Sequence, residues 1–186
     1  LAIWETIHTP RGEAAALINL AQVYIHLQQW EQAQGAIERA QKLLNEIGSK
    51  EFLAELERLW GEYYRHTGDL EQALTHIQKA IGLADAYSDP LERGIAQRVL
   101  GEIYLSRGNP RFAAAALQTG LLIFNNLNNE HEAARTKLAL ARLALTSGDI
   151  AGDTAQNYLE QAIRSFEKLD ARDDLAQAQA LKQQLA

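Results

Sequence analysis

The fold of this chain is decided by residues 100–113, which read LGEIYLSRGNPRFA. Up to Gly108 the apolar residues recur three and four positions apart, as they do on one face of an α-helix. Glycine suits the left-handed conformation that ends many helices. Pro110 suits the first position of the next helix, where its missing N–H is not needed. The stretch therefore predicts a helix, a tight turn and a second helix.

The same pattern recurs along the chain with a period of about 40 residues, which is typical of a helical repeat array. It reads WGEYYRHTGDLEQA at residues 60–73 and LAQVYIHLQQWEQA at residues 20–33. A fourth copy starts at residue 140 and is stretched by two residues near Gly152. Gln28 and Gln29 replace the turn glycine of the first copy, so we expect a slightly different turn there, at a cost of up to about 1 kcal/mol.

Three columns of small residues keep this period and predict close helix packing, since a small side chain lets a neighbouring backbone approach. The columns are Ala21, Gly61, Gly101 and Ala141; Ala33, Ala73, Ala113 and Ala155; and Ala40, Ala80, Gly120 and Ala162.

Four columns of larger residues lie beside them, and we expect these to fill the core. They are Leu20, Trp60, Leu100 and Leu140; Tyr24, Tyr64, Tyr104 and Ala144; Leu44, Ala84, Phe124 and Phe166; and Ile47, Tyr87, Leu127 and Leu169.

Helix starts are predicted by side chains that accept a backbone N–H bond. Thr9, Ser49, Asp89 and Asn129 keep the same period and are the expected N-caps of the first helix in each repeat, helix A. Asp89 with Glu92, and Asn129 with Glu132, also have capping-box spacing. Gly68, Gly108 and Gly148 are expected to end helix A, with Asp69, Asn109 and Asp149 capping the second helix, helix B.

These signals predict an all-α fold, a solenoid of stacked antiparallel helix pairs with about ten helices, two of them from partial repeats. One array is expected to fill residues 1–186. Its parts are the end of a preceding helix B at 1–10, repeats at 11–50, 51–90, 91–130 and 131–172, and a C-terminal capping helix at 173–186. The chain lacks methionine and starts within a repeat, so we expect a fragment of a larger protein.

The stretch from Leu100 to Ala113 resembles the tetratricopeptide repeat, whose unit carries L-G-x-x-Y, a turn glycine and an alanine in helix B. The resemblance covers nearly the whole chain. The usual unit is shorter, and this longer unit is similar to those of large bacterial regulators, such as maltose-type transcription activators, multidomain nucleotide cyclases and signalling ATPases, and of kinesin light chain-like arrays. The resemblance implies that the solenoid is a right-handed α-α superhelix. It also implies a regulatory, partner-binding segment of a bigger protein.

Composition limits the possible functions. The absence of cysteine excludes a disulfide framework, a zinc knuckle and a cysteine nucleophile. A net charge of -6 argues against nucleic acid, which normally needs a basic surface. No apolar run is long enough to cross a membrane, and cytoplasm is the default location.

In the tetratricopeptide repeat family, which this sequence resembles, helix A lines the concave groove. This suggests where a partner binds. The expected groove residues are Arg58, Glu62, Arg65, His66, Arg98, Glu102, Arg135 and Arg142, flanked by aliphatic residues such as Leu105 and Leu145. Arginine's planar fork suits carboxylates, so an acidic peptide segment with an apolar anchor is the expected partner. Alternatively, Arg58 with Glu62 and Arg98 with Glu102 are spaced to pair within their own helices.

Other interpretations of this surface are disfavoured. Some members of the resembled family grip a C-terminal carboxylate, but here Glu62 and Glu102 would repel one. Trp60 and Tyr63 stand in core columns and are predicted to pack in the interior.

No catalytic, cofactor or metal site is expected. The five histidines lack metal-ligand spacing, and the Glu62–His66 pair has neither a nucleophile nor an enclosed pocket beside it. We therefore expect a non-enzymatic protein-interaction module. The alternatives are a ligand-sensing regulatory segment of a multidomain transcription activator, nucleotide cyclase or signalling ATPase, and self-association through an exposed apolar end. The oligomeric state is left open.

Overall fold

The computed structural model describes residues 9–147 and 152–184, and these ranges hold nine helices and no strand. The helices are α1 Pro10–His26, α2 Trp30–Glu46, α3 Leu53–Thr67, α4 Leu70–Ala86, α5 Pro90–Ser106, α6 Pro110–Asn126, α7 Glu130–Ser147, α8 Gly152–Lys168 and α9 Arg172–Gln183. None of them is long and apolar enough to cross a bilayer. The predictions made for residues 1–8, Gly148 and Asp149 lie outside the described residues.

The chain divides into two compact units, Leu1–Glu92 and Arg93–Ala186. In the first unit, short turns join α1 to α2 and α3 to α4, so the two helices of each pair run antiparallel. Its core joins α1, α2 and α3 through residues such as Ile18, Ile37 and Leu59. In the second unit, α6 packs against α7 and α8 packs against α7 and α9.

All twelve positions in the small-residue columns are buried, as predicted. The contacts around two of the glycines show why these positions hold small residues. A Cβ placed on Gly101 would lie 2.5 Å from Cγ of Leu117, and one on Gly120 would lie 3.1 Å from the carbonyl oxygen of Gly94. Helices α5 and α6 therefore approach more closely than a methyl group would allow.

The large-residue columns are confirmed in part. Leu44, Ala84, Phe124 and Phe166 are at most 1% exposed. The prediction is wrong for Ile47, Tyr87, Leu127 and Leu169, which are 40–49% exposed. Each follows the last residue of a helix B, directly before a left-handed residue, so its side chain leaves the packed face.

Leu20 is also exposed, although its counterparts Trp60 and Leu140 are buried. Trp60 packs in the core beside residues of α2.

The expectation of a different turn at Gln28 is wrong. Gln28 adopts the left-handed conformation (φ 57°), as Gly108 does (φ 71°). The following N–H groups bond alike, Gln29 to the Tyr24 carbonyl at 2.8 Å and Asn109 to the Tyr104 carbonyl at 2.9 Å. Glutamine therefore takes the glycine geometry, and the conformational cost remains.

Helix capping follows the prediction at three of four helix A starts. Thr9, Asp89 and Asn129 accept the N–H of Gly12, Glu92 and Glu132 at 3.1, 2.9 and 3.1 Å.

Ser49 is not a cap, because α3 begins only at Leu53, after Phe52 in the left-handed region. Of the predicted helix B caps, Asp69 accepts from Gln72, whereas Asn109 makes no side-chain capping bond.

Candidate functional site

The eight predicted groove residues lie on helices A, and the two units each hold four of them. Arg58, Glu62, Arg65 and His66 are on α3 of the first unit. The second unit holds Arg98 and Glu102 on α5 and Arg135 and Arg142 on α7. Their surroundings decide which of them a partner can reach.

Arg58 is buried in a cluster of carboxylates. Only 1% of the residue is exposed. Its Nε donates to Oε1 of Glu92 at 2.6 Å, its Nη1 donates to Oε1 of Glu62 at 2.5 Å, and Oε1 of Glu55 lies 3.7 Å from Nη2. The guanidinium is thus engaged by the chain's own acids, and it holds the start of α5 against α3.

The pKa values of two carboxylates in this Arg58 cluster are set mainly by burial. Burial raises the pKa of Glu55 and of Glu92 above the ordinary value of 4.5, and Arg58 offsets this only in part. Burial alone would lower the pKa of Arg58, but Glu62, Glu92 and Glu55 raise it. The arginine therefore stays charged while its acids are partly destabilised.

Arg98 forms an equivalent cluster in the second unit. It is 6% exposed, and its Nη1 and Nη2 donate to Glu102 at 3.4 Å and to Glu132 at 3.1 Å. Arg135 adds a second cation to Glu132, at 3.3 Å. Burial would raise the pKa of Glu132, but Arg98 and Arg135 lower it below its ordinary value.

The pairing within helices that the sequence left open is confirmed for Arg58 with Glu62 and for Arg98 with Glu102. Sequence reasoning missed the partners from the next helix A, Glu92 and Glu132. A signal was present: both are capping-box glutamates, and each stands 34 residues after its arginine. In both capping boxes the glutamate's backbone N–H donates to the N-cap side chain, while its carboxylate bonds the arginine.

The residues at the end of α3 are more exposed. Arg65 Nη2 lies 2.8 Å from Nε2 of His66, whose ring stacks on Trp30 with centroids 5.3 Å apart. Trp60 is buried, as predicted, and Tyr63 is half-buried, with its hydroxyl donating to Gln34 at 3.0 Å.

Arg142 has a different environment from the other arginines of the predicted groove. It is half-buried, and its Nη2 donates to the neutral Oε1 of Gln177 at 3.2 Å. Within residues 9–147 and 152–184 it has no carboxylate partner. Its positive charge is therefore not neutralised by a neighbouring acid of the described chain.

Arg142 lines an open cleft of about 530 Å³ in the second unit, which we call the Arg142 cleft. Three successive helices A form it. Its lining residues are Leu105 of α5, Arg142, Leu145 and Thr146 of α7, and Gln177, Ala180 and Leu181 with the following Gln184 at the end of α9. The volume falls within the range of ligand sites.

The predicted groove residues Leu105, Arg142 and Leu145 are thus brought together in one cleft. Sequence reasoning missed the α9 wall, because the polar composition of α9 indicated a closing cap. Asp174 was the signal that α9 corresponds to a helix A. It follows Glu132 by the length of the stretched repeat, which is also the distance from Phe124 to Phe166.

A second cleft, of about 480 Å³, lies in the first unit beside Glu55 and Glu92 and is also lined by Phe52 and Tyr87. Across the described ranges, no three histidine, aspartate or glutamate side chains converge as metal ligands would.

Comparison with known proteins identifies the repeat type. A family model of the tetratricopeptide repeat matches residues 12–86 and 52–125, together more than half of the chain. A search of curated protein sequences found no match.

Solved structures give the same fold. A Rap protein complexed with competence and sporulation factor is 19% identical, with a TM-score of 0.82 over 94% of this chain and 48% of that one. Aspartyl phosphate phosphatase F from Bacillus subtilis is 17% identical, with a TM-score of 0.75 over 95% and 46%. The chain thus spans about half the length of these two proteins.

A third similar structure is a signal transduction ATPase with a tetratricopeptide repeat sensor from Pyrococcus horikoshii. It is 19% identical, with a TM-score of 0.67 over 93% of this chain and 27% of that one. These likenesses confirm the predicted all-α solenoid fold class, with nine described helices against about ten expected.

Proposed function

Because this chain belongs to the tetratricopeptide repeat family, whose fold is typical of protein-interaction modules, we propose that it is a non-catalytic module that binds a protein or peptide on its helix A faces. One observation carries the proposal: the Arg142 cleft lies on α5, α7 and α9 and is open to solvent. We also propose a cytoplasmic location, which the cysteine-free sequence fits.

The chemistry of the predicted residues supports an acidic segment with an apolar anchor as the partner. Arg58 and Arg98 are buried with carboxylates of this chain, so their proposed part is to hold the helices that present the groove. Arg142 is the arginine we assign to the partner, with Leu105 and Leu145 beside it. Arg135 of the second unit and, separately, Arg65 and His66 of the first unit remain proposed partner contacts.

The proposal is tested by blocking the cleft without disturbing the core. A random peptide library displayed on phage is selected against the chain, and the enriched peptides are measured by fluorescence polarisation. Ala180 is exposed in the cleft wall, so Ala180→Trp should fill the cleft and weaken binding by about tenfold or more, because it removes the space that an anchor side chain occupies.

The matched control is Ala115→Trp, which places the same side chain on an exposed position of α6, a helix B. It should leave binding unchanged. A selection that enriches no peptide, or peptides that bind Ala180→Trp as well as the parent chain, would contradict the proposed function.

A second candidate, a ligand-sensing segment of a multidomain regulator, is favoured by one comparison. The ATPase from Pyrococcus horikoshii has a tetratricopeptide repeat sensor, and 93% of this chain matches 27% of that protein. The complete gene decides between the two: an attached ATPase, cyclase or DNA-binding domain would favour sensing, and its absence would count against it.

A further inference from the structure

We infer that the Arg142 cleft selects an extended internal peptide segment of about three residues that carries one side-chain carboxylate next to an aliphatic side chain. The inference rests on the proposed function and specifies the ligand class of the same site. It follows from the charge, the apolar surface and the length of the cleft.

The charge points to a carboxylate. Among the described residues that line the cleft, Arg142 alone carries a charge at neutral pH. Its hydrogen bond to Gln177 goes to an amide oxygen, which an incoming carboxylate can replace or join. A guanidinium binds a carboxylate through two parallel N–H···O bonds.

The apolar surface points to an aliphatic neighbour. Leu145 stands three residues after Arg142 on α7, one turn along the same face. Leu105, Ala180 and Leu181 complete the apolar part of the lining. These four side chains offer contacts to a leucine, isoleucine or valine of a partner but no counter-charge for a lysine.

The length follows from helix geometry. Gln177 and Gln184 stand at the two ends of the α9 wall, seven residues apart, so at about 1.5 Å per residue the wall is roughly 10 Å long. An extended chain rises about 3.3 Å per residue, so about three residues fit. The amides of these glutamines can donate to and accept from the backbone of such a segment.

The open edge favours a segment within a chain over a chain terminus. Thr146, Gln177, Ala180 and Gln184 are all exposed, so no side chain among the described lining residues closes either end of the cleft. A peptide can therefore enter at one end and leave at the other.

The inference is tested with short peptides of known sequence, blocked at both termini, in which glycine and serine flank a central Glu-Leu-Leu. Their binding to the complete chain is measured by fluorescence polarisation, beside peptides in which the centre is Gln-Leu-Leu or Glu-Ser-Ser. A further peptide has Gln-Leu-Leu at its end with a free C-terminal carboxylate. Glu-Leu-Leu should bind about tenfold more tightly than Gln-Leu-Leu, as a charged hydrogen bond would require.

Arg142→Gln should abolish this preference for glutamate, and Arg142→Lys should retain part of it, because lysine keeps the charge without the planar fork. Arg164→Gln is the control, since Arg164 is 75% exposed on α8. This variant should bind the glutamate and glutamine peptides as the parent chain does.

The outcomes separate the inference from the proposed function. If Ala180→Trp blocks binding but glutamate and glutamine peptides bind alike, the ligand class is wrong and the proposed function stands. If the terminal carboxylate binds more tightly than Glu-Leu-Leu, the internal-segment assignment is wrong. If Ala180→Trp has no effect, both fail.

Discussion

The Arg58 and Arg98 clusters occupy the same repeat position in the two units, yet their charges are balanced differently. Each arginine bonds a glutamate four residues later and another 34 residues later. Beside Arg58, Glu55 adds a third carboxylate. Beside Arg98, the residue at the position of Glu55 is Ile95, and Arg135 brings a second cation to the shared glutamate.

Buried ion pairs of the same geometry can therefore differ in their energetics. Burial leaves Glu92 with a raised pKa because Arg58 offsets it only in part, whereas Arg98 and Arg135 together outweigh burial and leave Glu132 with a lowered pKa. Glu92 is bonded by Arg58, whereas Glu132 is shared between Arg98 and Arg135.

The largest expected effect is the loss of Arg58. Arg58→Met should lower the free energy of unfolding by about 3–5 kcal/mol, because Glu92 stays buried without its guanidinium. Arg98→Met should cost less, since Arg135 remains on Glu132. Urea unfolding followed by circular dichroism measures both, with Arg164→Met as the exposed control. Equal losses for Arg58→Met and Arg98→Met would show that Arg135 does not compensate.

The next effect compares helix contacts at two equivalent glycines. Gly101→Ala should destabilise by about 1–3 kcal/mol, because its Cβ would lie 2.5 Å from Leu117 Cγ and 3.2 Å from the Ala113 carbonyl oxygen. Gly61→Ala meets nothing nearer than 3.4 Å, and should be neutral or stabilising by up to about 1 kcal/mol through helix propensity. Thermal unfolding of both variants checks this, and a similar loss at Gly61 would contradict the contact argument.

The two clusters should also respond oppositely to pH. The folded pKa of Glu92 is raised, so its contribution to stability is complete below the unfolded pKa near 4.5 and is lost as pH rises through the folded pKa. The folded pKa of Glu132 is lowered, so its contribution is present above about 4.5 and is lost as pH falls through the folded pKa.

Urea unfolding across this pH range, with Glu92→Gln and Glu132→Gln as references, measures the two contributions separately. On acidification the parent chain should gain stability relative to Glu92→Gln in the window above the unfolded pKa of 4.5. It should lose stability relative to Glu132→Gln in the window below that value. The same sign for both differences would rule out the assigned imbalance of charge.

The smallest expected effect concerns the turns within the first and third repeats. Gln28→Gly should stabilise the chain by about 0.5–1 kcal/mol, because Gln28 holds the left-handed conformation that Gly108 adopts without steric cost. Gly108→Gln should cost a similar amount. Thermal melting of the pair tests this, and a destabilising Gln28→Gly would mean that the glutamine side chain contributes a contact of its own.

The sequence predicted helices, turns and packing well where one local rule decides the outcome. Gly101 and Gly120 were identified because close helix approach admits few side chains, and Thr9 and Asp89 because capping depends on a few adjacent residues. Ile47 was placed wrongly because periodicity does not show where a helix ends, and a column at the helix end leaves the core.

The candidate site was harder to predict, since it depends on contacts between distant residues. Arg58 and Arg142 were both predicted to line the groove. Their difference arises from residues far along the chain, Glu92 for one and Gln177 for the other. Helical spacing predicts the contact of Arg58 with Glu62 on the same helix, but it does not predict the contact with Glu92.

The 34-residue interval from Arg58 to Glu92 is repeated from Arg98 to Glu132, so both ion pairs require the same length of chain between their two residues. In the repeat that is stretched by two residues, the buried Leu138 stands at the position of Arg58 and Arg98. Asp174, at the position of Glu92 and Glu132, is bonded by His131 at 2.8 Å and lies 3.5 Å from Arg135. An altered spacing is thus matched by a different cation. We expect insertions inside the two 34-residue intervals to be tolerated poorly, because a buried charge would then lose the partner that only the correct chain length supplies.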